Sequence, residues 1–253
     1  MKFTKILNSF FLNIGCNIRQ LKNLFFLPKF FYDLLKFRKL KGEIDYIFPI
    51  LGEHKSNSGA TKNIEYFYPD MLVASFIFDN KPKKHCDIGS RIDGFVSSVA
   101  VFREIEVFDI RKIDLEFRNI LIKQLDLLKP NHQYINYTDS ISCLSTIEHF
   151  GLGRYGDNLD PYGHIKGFNN IIKMVKPGGL IYLSVPISSK TKIYFNAHRQ
   201  FEPKSVLEWS DQCVLKRFDY VSDDGKLNLN VNLRSQIFSN LQYSCGIYSF
   251  IKI

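Results

Sequence analysis

The 253 residues carry 34 basic and 25 acidic side chains, a formal net charge of +9, and 15% aromatic content that includes 23 phenylalanines. That size and apolar content suit one large α/β domain with an extension. Residues 1–41 hold nine lysines and arginines against Asp33 alone, a surplus of eight, so the rest of the chain is near neutral and a broad nucleic-acid-binding face on it is excluded. The five cysteines, Cys16, Cys86, Cys143, Cys213 and Cys245, are widely spaced and contain no C-x-x-C pair. A reduced, cytosolic setting without structural zinc follows.

Residues 1–62 read as a basic amphipathic helical arm with a linker, and residues 63–253 as the main domain. The arm interleaves its cations with Phe10, Phe11, Leu24, Phe25, Phe26, Phe30, Phe31, Leu34 and Leu35. Asn13, Asn17, Arg19, Lys22 and Lys29 cut the apolar runs well short of the ~20 residues that cross a bilayer. Asn8 and Asn13 likewise interrupt a signal-peptide pattern, and no small-residue cleavage site follows. Two uses of the arm stand side by side: lying on an anionic membrane surface or a partner, or packing on its own domain with the cations reaching water. Pro49, Gly52, Ser56, Asn57, Ser58 and Gly59 mark a linker or a loop over a site.

The main domain opens with an apolar helix over Met71–Phe78, preceded by Pro69 at a first helical turn and by Tyr66, Tyr68 and Asp70, which can overhang a ligand. Lys84–Ile88 is the first strand, and it turns through Gly89-Ser90-Arg91 into a helix over Gly94–Phe102 whose Val96, Val99 and Ala100 face the sheet. In an open α/β sheet such a turn faces the ligand, with Gly89 free to take φ > 0 and Asp87 able to accept hydrogen bonds. The second strand, Glu104–Phe108, ends in Asp109, twenty residues past Gly89, where an acid holds the ribose hydroxyls of a nucleotide-type cofactor. An abbreviated connection from Ile110 to Arg118 leads to a third strand, Asn119–Gln124, with Asp126 after it placed to accept from an exocyclic amino group.

Ile141–Ser145 is a short fourth strand opening onto the polar, glycine-studded run Thr146–Asp157. A helix over Gly163–Val175 presents Phe168, Ile171, Ile172 and Val175 on one stripe and is stopped by Lys176-Pro177-Gly178-Gly179. Leu180–Val185 is the buried fifth strand, followed by Phe195-Asn196-Ala197-His198-Arg199, a helix over Pro203–Trp209, and two edge strands, Val214–Val221 and Gly246–Ile253, that pair antiparallel.

Seven strands, mostly parallel and closed by an antiparallel pair, resemble the Rossmann-like fold of class I S-adenosylmethionine (SAM) methyltransferases. Cys86-Asp87-Ile88-Gly89 resembles their first motif, Asp109 their ribose acid, Asp126 their adenine acid, Ile147-Glu148-His149 the residues after their fourth strand, and Lys176–Gly179 the turn before the fifth. More narrowly, Asp87–Phe95, Ser142–Asp160 and Phe195–Arg199 resemble a methyltransferase-related domain family of unknown function, the match running from Tyr66 to Gly225. Arg91 departs from the pattern, standing where a second glycine is usual.

The resemblance implies SAM as cofactor, held by Asp87, Gly89, Ser90, Arg91, Asp109, Ile110, Asp126, Ser145 and Glu148. His149 and His198 are the bases able to take an acceptor proton at neutral pH. Arg154, Tyr155, Asn196 and Arg199 border the acceptor, the two arginines matching phosphate or carboxylate bidentately. No metal is required, since Asp157 and Asp160 alone are a weak ligand set. Bacterial members of the resembled family imply a sugar or glycan precursor for surface polysaccharide as substrate, O-methylation being favoured; the protein is expected to be cytoplasmic, and residues 1–41 leave peripheral contact with the inner membrane face as one use of the arm. Two other readings stay open: a non-catalytic methyltransferase-like module docked by its arm, and a nicotinamide oxidoreductase, which lacks its G-x-G-x-x-G.

Overall fold

A computed structural model describes residues 23–41, 43–47, 51, 64–129, 131–234 and 238–253. The first part of the expected arm and most of the expected linker, including Cys16, Pro49 and the run from Gly52 to Gly59, lie outside the described residues. The chain forms two compact units that divide at Lys62/Asn63. In the first, α1 spans Leu27–Lys39, with proline at its start and Lys36, Arg38 and Lys39 in its last turn. No residue of α1 is buried, and Phe31, Leu35 and Phe37 are exposed. Among the described residues no helix is long and apolar enough to cross a membrane.

In the second unit, α2 runs unbroken over Ile64–Asn80 with Pro69 buried inside it. Pro69 was expected at a first turn, but the helix starts five residues earlier. A proline just past the first turn removes only one helical hydrogen bond, the one its own N–H would have made to the carbonyl of Glu65. β1 (His85–Ile88) leads through a wide turn, Ile92–Val96, into a short α3 (Ser97–Ala100). Then come β2 (Ile105–Asp109), β3 (Ile120–Gln124), β4 (Thr138–Leu144), α4 (Gly163–Met174) and β5 (Val175–Ile187). A hairpin follows, β6 (Lys192–Tyr194) with β7 (His198–Gln200), and then β8 (Cys213–Val221), β9 (Leu227–Asn228) and β10 (Ser244–Lys252).

Among the described residues the main sheet has eight strands in the order β3-β2-β1-β4-β5-β10-β8-β9, one more than expected because β9 extends the edge. β3, β2, β1, β4 and β5 are parallel, while β10 runs antiparallel between β5 and β8. The chain reverses its direction of travel across the sheet between β1 and β4, the position at which open α/β sheets bind ligands. The expected turn Lys176–Gly179 is a bulge at the start of β5, since Val175 pairs with Thr138 but Leu180 already pairs with Ser140.

Each face of the sheet carries its own core. Phe168, Ile171 and Ile172 of α4 meet Ile141, Leu183 and Phe250 on one side. Val73 and Ile77 of α2 with Phe95 and Val99 meet Val107 and Ile247 on the other. The expected helix over Pro203–Trp209 is a 3-10 turn, Pro203–Glu208, capped by the Glu202 side chain on Ser205 N–H. The hairpin was not foreseen, because no Asn-Gly or Asp-Gly pair marks its turn.

Candidate functional site

The site grows from the β1 turn. Gly89 has a φ of 63°, and a Cβ built there lies 2.6 Å from Thr146 Cγ2, so glycine alone lets the turn pass beneath the loop after β4. Asp87 fastens this turn by accepting the Ser90 N–H at 2.9 Å, Ser90 Oγ–H at 2.6 Å and Ser142 Oγ–H at 2.6 Å. Ser90 Oγ in turn accepts the Leu144 N–H at 3.1 Å, which ties β1 to β4. Behind Asp87, His85 lies 2.8 Å from Ser140 Oγ and 3.1 Å from Ser142 Oγ. Because Ser142 donates to Asp87, it accepts from His85 Nε2–H, and His85 Nδ1 accepts from Ser140. Burial depresses His85 to about 3, keeping it neutral, and raises Asp87 to about 6 against the pull of its donors. Asp87 therefore supports the turn from below and lines neither of the cavities described next, a correction to its expected place on the cofactor.

Two clefts meet above the turn, sharing Gly89, Arg111, Ser145, His149 and Tyr155. The apolar cleft, about 600 Å³, is walled by Ile88, Phe108, Ile110, Leu125 and Leu127, with Asp109 and Asp126 at its polar edge. The polar cleft, about 930 Å³, is bordered by Tyr66, Ser90, Arg91, Glu148, Arg154, His198 and Tyr243. Asp126 Oδ1 accepts the Leu128 N–H, and its other oxygen pairs with Lys129 at 3.2 Å. The carboxylate of Asp109 is engaged by its neighbour Arg111, through the backbone N–H at 2.8 Å, Nε at 2.9 Å and Nη2 at 2.7 Å.

Where the clefts join, a 3-10 turn, Ile147–His149, presents Glu148 and His149. His149 Nδ1 lies 2.6 Å from the carbonyl oxygen of Ala197, so that nitrogen carries the proton and Nε2 keeps its lone pair. Burial depresses His149 to about 4 and keeps the ring neutral. Its Nε2 is 3.7 Å from Glu148 Oε1. Glu148 is 2% exposed, its Oε2 has no partner among the described residues, and burial pushes its carboxyl up to about 8. At neutral pH that group is mainly a neutral acid. His198 also borders the polar cleft, stacked on Tyr194 and edge-on to Tyr243, and burial lowers its pKa as well.

Tyr155 stands edge-on to His149 at 5.5 Å and between two guanidiniums, Arg111 at 5.0 Å and Arg154 at 5.2 Å from its ring centre. Arg154 Nη1 donates to the same Ala197 oxygen at 3.0 Å. Arg91, the departure from the glycine pattern, turns outward, pairing with Asp93 at 3.0 Å and lying 5.4 Å from the Tyr66 ring, so its bulk stays out of the apolar cleft.

Two expected acceptor residues lie elsewhere. Arg199 is 1% exposed and donates to the carbonyls of Glu148, Phe150, Asp160 and Pro161, which makes it an internal tie rather than a substrate clamp. Asn196 is exposed in the hairpin turn and lines neither cleft. Asp157 is used up by the N–H groups of Gly151, Gly153 and Tyr155, and Asp160 pairs with Lys166. Among the described residues no group of three or more His, Cys, Asp or Glu side chains can hold a metal ion. The sequence reading missed Arg111, Thr146, Pro186 and Tyr243; only Arg111 carried a local signal, a cation two residues past a predicted binding acid.

Among solved structures, the [4+2]-cyclase SpnF superposes with a TM-score of 0.50 at 10% identity, covering 72% of this chain and 81% of its own. The N-methyltransferase NodS from Bradyrhizobium japonicum WM9, in complex with S-adenosyl-l-homocysteine (SAH), gives 0.50 at 12% identity over 79% of this chain and 93% of its own. At such identities the likeness establishes the Rossmann-like methyltransferase fold. No curated protein matches the chain. The model of the family described as "Caenorhabditis protein of unknown function, DUF268" matches residues 98–235, more than half of the sequence, and the chain belongs to that family.

Proposed function

We propose that the protein is a SAM-dependent methyltransferase that methylates a hydroxyl of a sugar or glycan precursor. The observation that carries this reading is His149, neutral, with Nδ1 fixed on the Ala197 carbonyl and Nε2 free where the apolar and polar clefts meet. The chain's own residues fit the cofactor: Gly89 and Ser145 line both clefts, and the apolar cleft has the carboxylates Asp109 and Asp126 beside it, after β2 and β3. Asp109 and Asp126 would hold the ribose and adenine, and Gly89, Ser90, Arg91, Ser145 and Glu148 the methionine portion. When bound, SAM supplies a methyl group already activated by its sulfonium.

His149 Nε2 takes the acceptor proton, with His198, also on the polar cleft, as the second candidate, and Glu148, 3.7 Å from Nε2, orients the ring. The half-exposed ring of Tyr243, which lines the polar cleft, offers an apolar surface to the C–H face of a sugar. The arm over residues 1–41 keeps the enzyme on the anionic inner face of the membrane, supported by its surplus cations and by the exposed Phe31, Leu35 and Phe37 of α1. Calorimetric titration with SAH tests the central claim, and no heat at millimolar SAH would sink it. His149→Gln should keep SAH affinity while losing turnover, read as methyl mass added to the sugar; undiminished turnover removes His149 from the reaction.

A further inference from the structure

We infer that the acceptor carries an oxyanion, a phosphate ester or a carboxylate, and that Arg154 is its anchor. This rests on taking the polar cleft as the acceptor side of the proposed methyltransferase. The cations around the site are not equivalent. Arg91 is paired with Asp93, Arg111 is held bidentately by Asp109, and Arg199 is enclosed by carbonyls. Arg154 donates one bond, to the Ala197 carbonyl, and has no carboxylate partner among the described residues. A guanidinium has five N–H donors, so most of its bonding capacity is unspent.

Asp157, three residues on, is engaged instead by the backbone N–H groups of Gly151, Gly153 and Tyr155. Arg154 also acts on the cleft electrostatically: its positive charge lowers the proton affinity of Glu148, His149 and His198 alike. Of the carboxyls lining the polar cleft, Glu148 is pushed up to about 8 by burial and Asp93 is paired with Arg91, so neither partners Arg154. The guanidinium lies over the Tyr155 ring, 5.2 Å from its centre, and a guanidinium can receive carboxylate or phosphate bidentately.

The test is calorimetric titration of the full chain with inorganic phosphate and, separately, with acetate at constant ionic strength, with and without saturating SAH. Wild type and Arg154→Gln are compared. Arg154 is exposed and makes one hydrogen bond, so the variant should fold, which its circular dichroism and unchanged SAH affinity would verify. At least one anion should bind the wild type, and Arg154→Gln should bind it about tenfold more weakly or worse, the loss of one charge-assisted bidentate contact. A preference for phosphate identifies a phosphate ester, and a preference for acetate a carboxylate. The inference is overturned if neither anion binds, if both bind the variant equally, or if SAH displaces them, which would give the anion seat to the cofactor's own carboxylate. SAH binding without anion binding leaves the methyltransferase reading standing alone. Anion binding through Arg154 without SAH binding does the reverse.

Discussion

On the proposed reading the cofactor's ribose must displace Arg111 from Asp109, and removing Arg111 should tighten binding. In Arg111→Ala the carboxylate keeps its 2.8 Å bond from the backbone N–H and so keeps its aim, but loses the Nε and Nη2 contacts. Hydrogen bonds to charged groups contribute ~1.5–3 kcal/mol each when shielded. The Arg111 side chain is 51% exposed, and exposed ion pairs yield only ~0–1 kcal/mol, so the pair that a ribose must displace amounts to about 1–2 kcal/mol. SAH should therefore bind Arg111→Ala about 5–30-fold more tightly than wild type. Calorimetric titration at low and high salt checks the cause, because screening weakens the wild-type ion pair and narrows the gap between the two proteins. Weaker SAH binding by the variant would refute the competition and make Arg111 a ligand-holding residue. A gap indifferent to salt would refute the electrostatic account of it.

Gly89→Ala should lower stability by ~1–3 kcal/mol, since the new Cβ meets Thr146 in a backbone conformation that side chains disfavour, and should abolish SAH binding, both read by thermal unfolding with and without SAH. Arg199→Ala strips four carbonyls of their donor and should cost ~3–5 kcal/mol in urea unfolding, a loss far beyond that of an exposed arginine. Burial puts the folded pKa of Glu148 at about 8, above its ordinary 4.5, so the folded state binds the extra proton across that window and stability falls as pH rises through it. Glu148→Gln should flatten that fall in pH-dependent unfolding, and an unchanged slope would count against a buried acid. With His149 depressed to about 4, it is already deprotonated at pH 6, so the acid limb of turnover should sit near pH 4 rather than at the ordinary 6.5.

The fifth strand was readable because burial on both faces leaves the apolar run Leu180–Val185, and glycine and acid spacing located the turn after β1 and Asp109. What escaped depends on distant partners. Arg199 looked like a clamp because a cation between histidine and glutamine carries no sign of the carbonyls, 38–51 residues away, that enclose it. Asp87 looked like a ligand because its three donors include Ser142, brought alongside only by β1–β4 pairing. Gly94 is glycine for a distant partner as well, since an oxygen of Asp70 would lie 2.5 Å from any Cβ there. The same interval that marked Asp109 as an acid facing the cleft could not reveal that Arg111 folds back on it.

One backbone oxygen, that of Ala197, receives both His149 and Arg154. Loss of either donor leaves that oxygen, and the hairpin turn bearing it, free to re-aim the other. The two side chains should therefore fail additivity, with a coupling of ~0.5–3 kcal/mol in a double-mutant cycle even though they belong to different steps. An acceptor of different shape that needs a longer or shorter hairpin would reset proton removal and anion recognition together. A change in the length of that turn would shift both donors at once.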